Sequence, residues 1–155
     1  MRKADREVKD LSQVEALLMR AEYIQLAFWD GIAPYMTPMS FGYKDRVIYV
    51  HGSVAGKRGE CLRVYGQVGF GAVAQCETVR RATACGYTSH YQSVTGWGRA
   101  SLIEDPREKA KALDIIMAHY NGPQGGYDDE SLQSVSVLRI EVEELTGKAN
   151  PPLPE

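Results

Sequence analysis

Residues 34–58, PYMTPMSFGYKDRVIYVHGSVAGKR, contain the pattern around which the rest of the chain is interpreted. Aromatic and branched residues in 34–43 and 46–50 predict two strands separated by a tight turn. A glycine-bearing loop follows, and a helix that starts near Gly56 would add positive potential from its N-terminus. The loop therefore predicts an anion site, with phosphate as the obvious guest. Four of its side chains are candidates for that contact: His51, Ser53, Lys57 and Arg58.

Further strand patterns lie on both sides of this stretch. Residues 23–29 are aromatic and branched, and Asp30-Gly31 is a hairpin turn signal. The returning strand contains Pro34 and Pro38, so we expect it at a sheet edge or bulged near Pro38. Three more strands are predicted over 68–74, 88–103 and 135–142, the second of them kinked at Gly96 or Gly98.

Two clear helices accompany these strands. Ser12 and Glu15 have the spacing of a capping box. Asp105-Pro106 begins a second helix that ends near Tyr120. A shorter helix over 59–65 is expected to end at Gly66. Because the helical content is small, the sheet is expected to curl into a barrel covered by these helices.

Composition limits the classes of function. The 155 residues suggest one domain, and a net charge of −2 gives no reason to expect a nucleic acid or a membrane as partner. The charged N-terminus lacks the apolar core of a signal peptide, so a cytoplasmic location is expected. The three cysteines have no C-x-x-C spacing, and no His/carboxylate set has metal-ligand spacing, so no metal site is expected.

Five segments, taken in order, resemble the pyridoxamine 5′-phosphate oxidase-like proteins, and most closely their 5-nitroimidazole-resistance branch. The segments are PYMTPMSFGY (34–43), IYVHGSVAGKR (48–58), YQSVTGWGRA (91–100), EDPREKAKALDIIMAHY (104–120) and VLRIEVEELTGK (137–148). The resemblance implies a mainly β protein, an antiparallel split β-barrel with a few flanking α-helices. It also implies one FMN-binding domain over residues 1–148, and Pro151, Pro152 and Pro154 predict a flexible tail over 149–155.

The resemblance further implies a homodimer that binds FMN in a cleft between its subunits and acts on a small-molecule substrate. The segments that match the flavin contacts of relatives supply these candidate cofactor-binding residues: Thr37, Pro38, Met39, Ser40, Phe41, His51, Ser53, Lys57, Arg58, Ser93 and Val94. His51 is also the candidate catalytic residue. The family commonly has Asn where this chain has Ser40, and Gly59 departs from the usual pattern after the loop.

The leading hypothesis is an FMN-dependent oxidoreductase, since a flavin carries the redox chemistry itself and needs no acid/base constellation from the protein. The alternative is a non-catalytic protein on the same fold that binds haem or another flavin, with His51 as a candidate axial ligand. A third hypothesis is a barrel that has lost its cofactor and acts through dimer contacts.

Overall fold

The computed structural model describes residues 4–53 and 55–154 and is mainly β, as the sequence predicts. Within these residues the strands are β1 (Glu7–Val8), β2 (Ile24–Trp29), β3 (Pro34–Met39), β4 (Phe41–Lys44), β5 (Val47–His51), β6 (Gln67–Val79), β7 (Thr88–Ile103) and β8 (Val137–Asn150). The helices are α1 (Leu11–Met19), α2 (Lys57–Tyr65), α3 (Pro106–His119) and α4 (Asp129–Ser134). Short 3-10 helices span Ala4–Arg6 and Ala84–Gly86.

All strands belong to one antiparallel sheet with the order β3-β2-β6-β7-β8-β5-β4, and β1 pairs with β8. β3 and β4 are the two ends of this order, yet Ser40 alone separates them in the chain. Because one residue spans less than about 4 Å, the two edges must meet at this corner, and the sheet curls into a half-barrel.

Residues at the end of α3 form hydrogen bonds to both sides of this corner. The hydroxyl of Tyr120 accepts a hydrogen bond from the Phe41 amide at 3.1 Å and donates one to the Glu22 carbonyl at 2.7 Å. His119 Nε2 lies 2.8 Å from the carbonyl oxygen of Ala21, and its ring packs on Phe41. These contacts join the residues before β2 to the first residue of β4.

The barrel interior is a single large apolar cluster. It combines the inward faces of the strands with Val14, Leu17 and Leu18 of α1. Among its fully buried side chains are Leu26, Phe41, Ile48, Val68, Val94 and Ile140. Burial of each such side chain contributes about 1.5–3 kcal/mol.

Several predicted elements are confirmed. β7 has the predicted bounds, and its pairing with β8 is irregular between Trp97 and Gly98. Asp105 caps α3, with its carboxylate accepting from the amides of Arg107 and Glu108. Gly66 ends α2 with a φ of 62°, and β3 is an edge strand.

Other predictions are wrong. Asp10, not Ser12, caps α1, because the Asp10 carboxylate accepts from the Ser12 amide at 2.8 Å and the helix begins at Leu11. The single strand predicted over 34–43 is two strands, β3 and β4, which meet at Ser40. α4 (Asp129–Ser134) was not predicted.

The expected tail is partly inside the fold. β8 continues to Asn150, whose partner in β7 is Tyr91, and Ala149 is fully buried. Leu153 packs against the main core, and Gln13 Nε2 lies 3.4 Å from the Pro154 carbonyl oxygen. β8 therefore extends past residue 148 into the segment expected as a tail, and Glu155 lies outside the described residues.

Candidate functional site

The loop after β5 brings part of the predicted site to the edge of β3. Arg58 Nη1 donates to the sulfur of Met39 at 3.0 Å, and Nη2 donates to the Ser53 carbonyl. Arg58 thus ties the loop to the end of β3. We call Met39, Ser53, Lys57 and Arg58 the edge cluster.

Lys57 lies beside the β2–β3 turn. Its Nζ is 2.5 Å from the Asp30 carboxylate and 5.7 Å from the centroid of the Tyr35 ring. The Ala33 amide and the Lys57 ammonium hold the pKa of Asp30 well below its usual value, and Asp30 in turn raises the pKa of Lys57. Lys57 is therefore charged and held close to β3, with half of its side chain exposed.

The first turn of α2 adds to this positive region. Gly56 precedes the helix with a φ of 77°, and no side chain caps its first amides. The Nε of Arg58 is buried and has no hydrogen-bond partner within the described part of the chain. Two cations and the open helix amides form a donor set that suits an anion such as a phosphate, whereas the buried Nε of Arg58 is not accessible to it.

His51 lies at the end of β5, close to the corner at Ser40. Val50 pairs with Phe41, so the next residue, His51, lies alongside Ser40. The alternating burial of β5 directs the exposed His51 side chain away from the core. The imidazole is therefore accessible beside the barrel corner.

The predicted cofactor-binding residues of β3 and β4 lie on different faces of the sheet. Thr37 and Met39 pair with buried residues of β2, whereas Pro38 pairs with Gln25 and lies on the outer face. Phe41 is fully buried, and its amide is occupied by Tyr120. Phe41 therefore contributes to the barrel core rather than to an open surface.

Ser93 and Val94 lie far from the edge cluster within one chain. Val94 is buried in the core, and Ser93 pairs with Val73 of β6 on the outer face of β7. β2 and β6 separate β7 from β3, so the two regions are three strand spacings apart, about 14 Å. One subunit therefore does not bring all the predicted residues together.

A broad groove crosses the outer face of β3, β2, β6 and β7, and sequence reasoning missed it. It consists of two adjoining cavities of about 500 and 450 Å³, which share Ala27 and Gly69. We call this groove the outer trough. Its signal in the sequence is the pair Gly69 and Gly71, which lie on one face of β6.

Two features are absent from the described residues, 4–53 and 55–154. None of their helices has the length and apolar character needed to cross a membrane. They also contain no cluster of three or more His, Cys, Asp or Glu side chains arranged for a metal ion.

Comparison with solved structures identifies relatives of the same architecture. A candidate 5-nitroimidazole antibiotic resistance protein from Bacteroides thetaiotaomicron is 31% identical, with a TM-score of 0.82 over 92% of this chain and 85% of that one. The flavocytochrome Anf3 from Azotobacter vinelandii is 21% identical, with a TM-score of 0.82 over 100% of this chain and 75% of that one. A FAD- and haem-binding protein from Mycobacterium smegmatis is 16% identical, with a TM-score of 0.77 over 97% of this chain and 76% of that one.

Sequence comparison gives the family. No curated protein sequence matches this chain significantly. A family model described as pyridoxamine 5′-phosphate oxidase matches residues 10–149, which confirms the resemblance seen in the sequence. The fold is the split β-barrel of these relatives, and the chain belongs to the pyridoxamine 5′-phosphate oxidase family.

Proposed function

We propose that the protein binds FMN and acts as a flavin-dependent oxidoreductase on a small molecule. The observation that carries this proposal is the edge cluster, where Lys57, Arg58 and the open first turn of α2 meet at one strand edge. A flavin mononucleotide joins a phosphate to a flat ring, and this region offers the donors that a phosphate needs. Membership of the family supports the same ligand.

Bound FMN would supply electron or hydride transfer, which protein side chains do not provide. Lys57 would act as a point charge toward the phosphate, and Arg58 would add a second positive charge beside it while its Nη atoms hold Met39 and Ser53 in place. His51 would present an exposed imidazole at the Ser40 corner, where it could donate a hydrogen bond to a reducible group. Ser40 would place one hydroxyl at the same corner.

The complete site would require two subunits. The edge cluster and Ser93 are about 14 Å apart across the sheet, and Ser93 lies on the outer face. In a homodimer, the edge cluster of one subunit could face Ser93 of the other, so both would reach one flavin. We expect light scattering to give twice the chain mass at micromolar concentration, and a monomer would contradict this arrangement.

The second candidate is a non-catalytic carrier of flavin or haem. The exposed position of His51 favours it, because an accessible imidazole can serve as an axial ligand. The flavocytochrome and the FAD- and haem-binding protein share this fold. Steady turnover with a reduced nicotinamide and an electron acceptor would exclude this candidate.

The site assignment is tested by FMN affinity. We expect His51→Ala and Lys57→Ala each to weaken FMN binding at least tenfold in an equilibrium titration, because each removes a proposed contact. His90→Ala and Lys111→Ala, which change a histidine of β7 and a lysine of α3, are the matched controls. If both site variants bind FMN as the wild type does, the assignment is wrong.

A further inference from the structure

α3 contacts the outer face of the sheet at two places and leaves open space beside them. At the first, Gly42 admits the helix backbone, since a Cβ added there would lie 2.6 Å from the Ile115 carbonyl oxygen. At the second, Ala112 packs with Ile103 and Val137 in a small, separate core cluster. Two adjoining cavities of about 550 and 200 Å³ lie along the helix, and we call them together the α3 groove. None of the candidate flavin contacts lines this groove.

The α3 groove lies between side chains of the sheet and side chains of the helix. Tyr49 of β5 pairs with Gly42 of β4 and with Arg139 of β8, so the three residues form one row across the sheet. Lys111 and Ile115 are one turn apart and share a face of α3. Tyr49, Lys111 and Ile115 line both cavities, and Arg139 lines the smaller one. A cation from the helix and a cation from the sheet therefore share the smaller cavity.

The cations of the α3 groove are available to a ligand. In the part of the chain that the structure describes, neither Lys111 nor Lys44, which lines the larger cavity, forms an ion pair. Arg139 uses its Nη2 for Glu141 at 2.5 Å, and its side chain remains 39% exposed. An anion placed beside Lys111 and Arg139 would accept charge-assisted hydrogen bonds, which are stronger than neutral ones.

The carboxylates of the α3 groove limit the charge that a ligand can carry. Glu108 lines the smaller cavity, and Asp45 and Asp114 line the larger one. Asp114 already accepts from the Gly125 amide at 2.8 Å and from the Tyr127 hydroxyl at 3.1 Å, so it holds the loop after α3. These three carboxylates would repel a doubly charged anion more strongly than a singly charged one. The groove therefore favours a monoanion over a phosphate.

The larger cavity offers apolar surface for the rest of such a ligand. Val47, Ile115 and Ala118 contribute aliphatic groups, and Tyr49 contributes its ring. Apolar lining with a few charged groups at one end is typical of sites that bind small molecules. The ligand would thus join an apolar body to a single carboxylate.

We propose that the α3 groove binds a monocarboxylate with an apolar body. Its carboxylate lies between Lys111 and Arg139, and its body lies over Tyr49, Val47 and Ile115. This binding goes beyond the proposed function and does not depend on it, because the groove and the edge cluster share no residue.

The probe is hydrocinnamate, a phenyl ring joined to a carboxylate by two methylene groups, compared with its neutral amide. Titration calorimetry uses the full chain, with and without FMN. We expect hydrocinnamate to bind in both cases and the amide to bind about tenfold more weakly, because the amide has no charge for the two cations.

Variants of the two cations locate the binding. Lys111 is exposed, so Lys111→Gln should keep the thermal midpoint and lose about tenfold in hydrocinnamate affinity. Arg139→Gln should weaken binding in the same direction. Arg107→Gln, which changes an exposed cation of α3 outside the groove, is the matched control and should bind as the wild type does.

Four results would overturn the proposal. They are no heat with hydrocinnamate in the wild type, equal affinity for the amide, unchanged affinity in Lys111→Gln, and loss of hydrocinnamate binding when FMN is bound. The last would place the probe at the flavin site. Hydrocinnamate binding by a chain that does not bind FMN would support the α3 groove and contradict only the proposed function.

Discussion

Lys57 and Arg58 are neighbours in the sequence but have different roles in the structure. Lys57 forms an ion pair with Asp30 at the β2–β3 turn, and Arg58 contacts Met39 and Ser53. Local pattern predicted that both cations belong to one loop. It could not predict their partners, because Asp30 and Met39 are many residues away and reach the loop only when the sheet curls.

The charge of Asp30 gives a pH dependence that can be measured. Its pKa in the folded protein is lowered from 3.8, first by the Ala33 amide and then by Lys57. Because the pKa of Asp30 is lower in the folded protein than in the unfolded chain, ionised Asp30 stabilises the folded state at pH values above 3.8. This stabilisation is lost as the pH falls through the pKa of the folded protein. Asp30→Asn should therefore be less stable than the wild type at neutral pH, and the difference should shrink as the pH falls below 3.8.

Denaturant unfolding at neutral and acidic pH measures this difference. Asp45→Asn, a matched change in the β4–β5 turn, is the control. A difference between wild type and Asp30→Asn that grows toward acid would mean that the ion pair with Lys57 does not stabilise the folded state.

The end of α3 determines how β4 meets the start of β2. Tyr120→Phe removes a hydroxyl that serves both the Phe41 amide and the Glu22 carbonyl. We expect a loss of about 1–3 kcal/mol in the free energy of unfolding, because two backbone groups lose a partner. Tyr87→Phe, at an exposed tyrosine after the second 3-10 helix, should change stability by less than about 0.5 kcal/mol. Equal effects of the two changes in chemical denaturation would exclude this role for Tyr120.

The close approach of β8 to β7 requires glycine at position 98. Gly98→Ala would place a methyl group against the Glu141 carbonyl oxygen, so we expect a cost of about 1–3 kcal/mol or more. Gly71→Ala is the matched change, since its methyl group has ordinary contacts at 3.7 Å with Thr95 and Val94. It should be neutral or stabilising by up to about 1 kcal/mol. Thermal unfolding compares the two, and similar midpoints would contradict the steric argument.

Elements with strong local signals were predicted well. The Asp105-Pro106 start of α3, the Gly66 end of α2 and the length of β7 all follow from cap, turn and alternation patterns. The errors occurred where a distant or competing contact determines the first or last residue of an element. The Ser12 amide donates to the Asp10 carboxylate, so Asp10 and not Ser12 caps α1. Pairing with β7 extends β8 to Asn150.

The split barrel, its family and a cofactor cleft between subunits were expected from the resemblance of five ordered segments, but the positions of the site residues within one chain could not be inferred. Only the strand order shows that Ser93 and the edge cluster lie three strands apart. That separation supports the proposal of a site shared between two subunits. The outer trough likewise emerges only when β2, β3, β6 and β7 are side by side.

The most direct test of the central claim is the visible absorption spectrum of the purified protein, recorded after FMN addition and passage through a desalting column. We expect the paired flavin bands to remain with the protein at one FMN per chain, because each dimer would contain two equivalent shared sites. A single intense Soret band in the protein as purified would favour the haem carrier. A colourless protein after exposure to FMN would contradict the account and show that the family's cofactor is not bound by this chain.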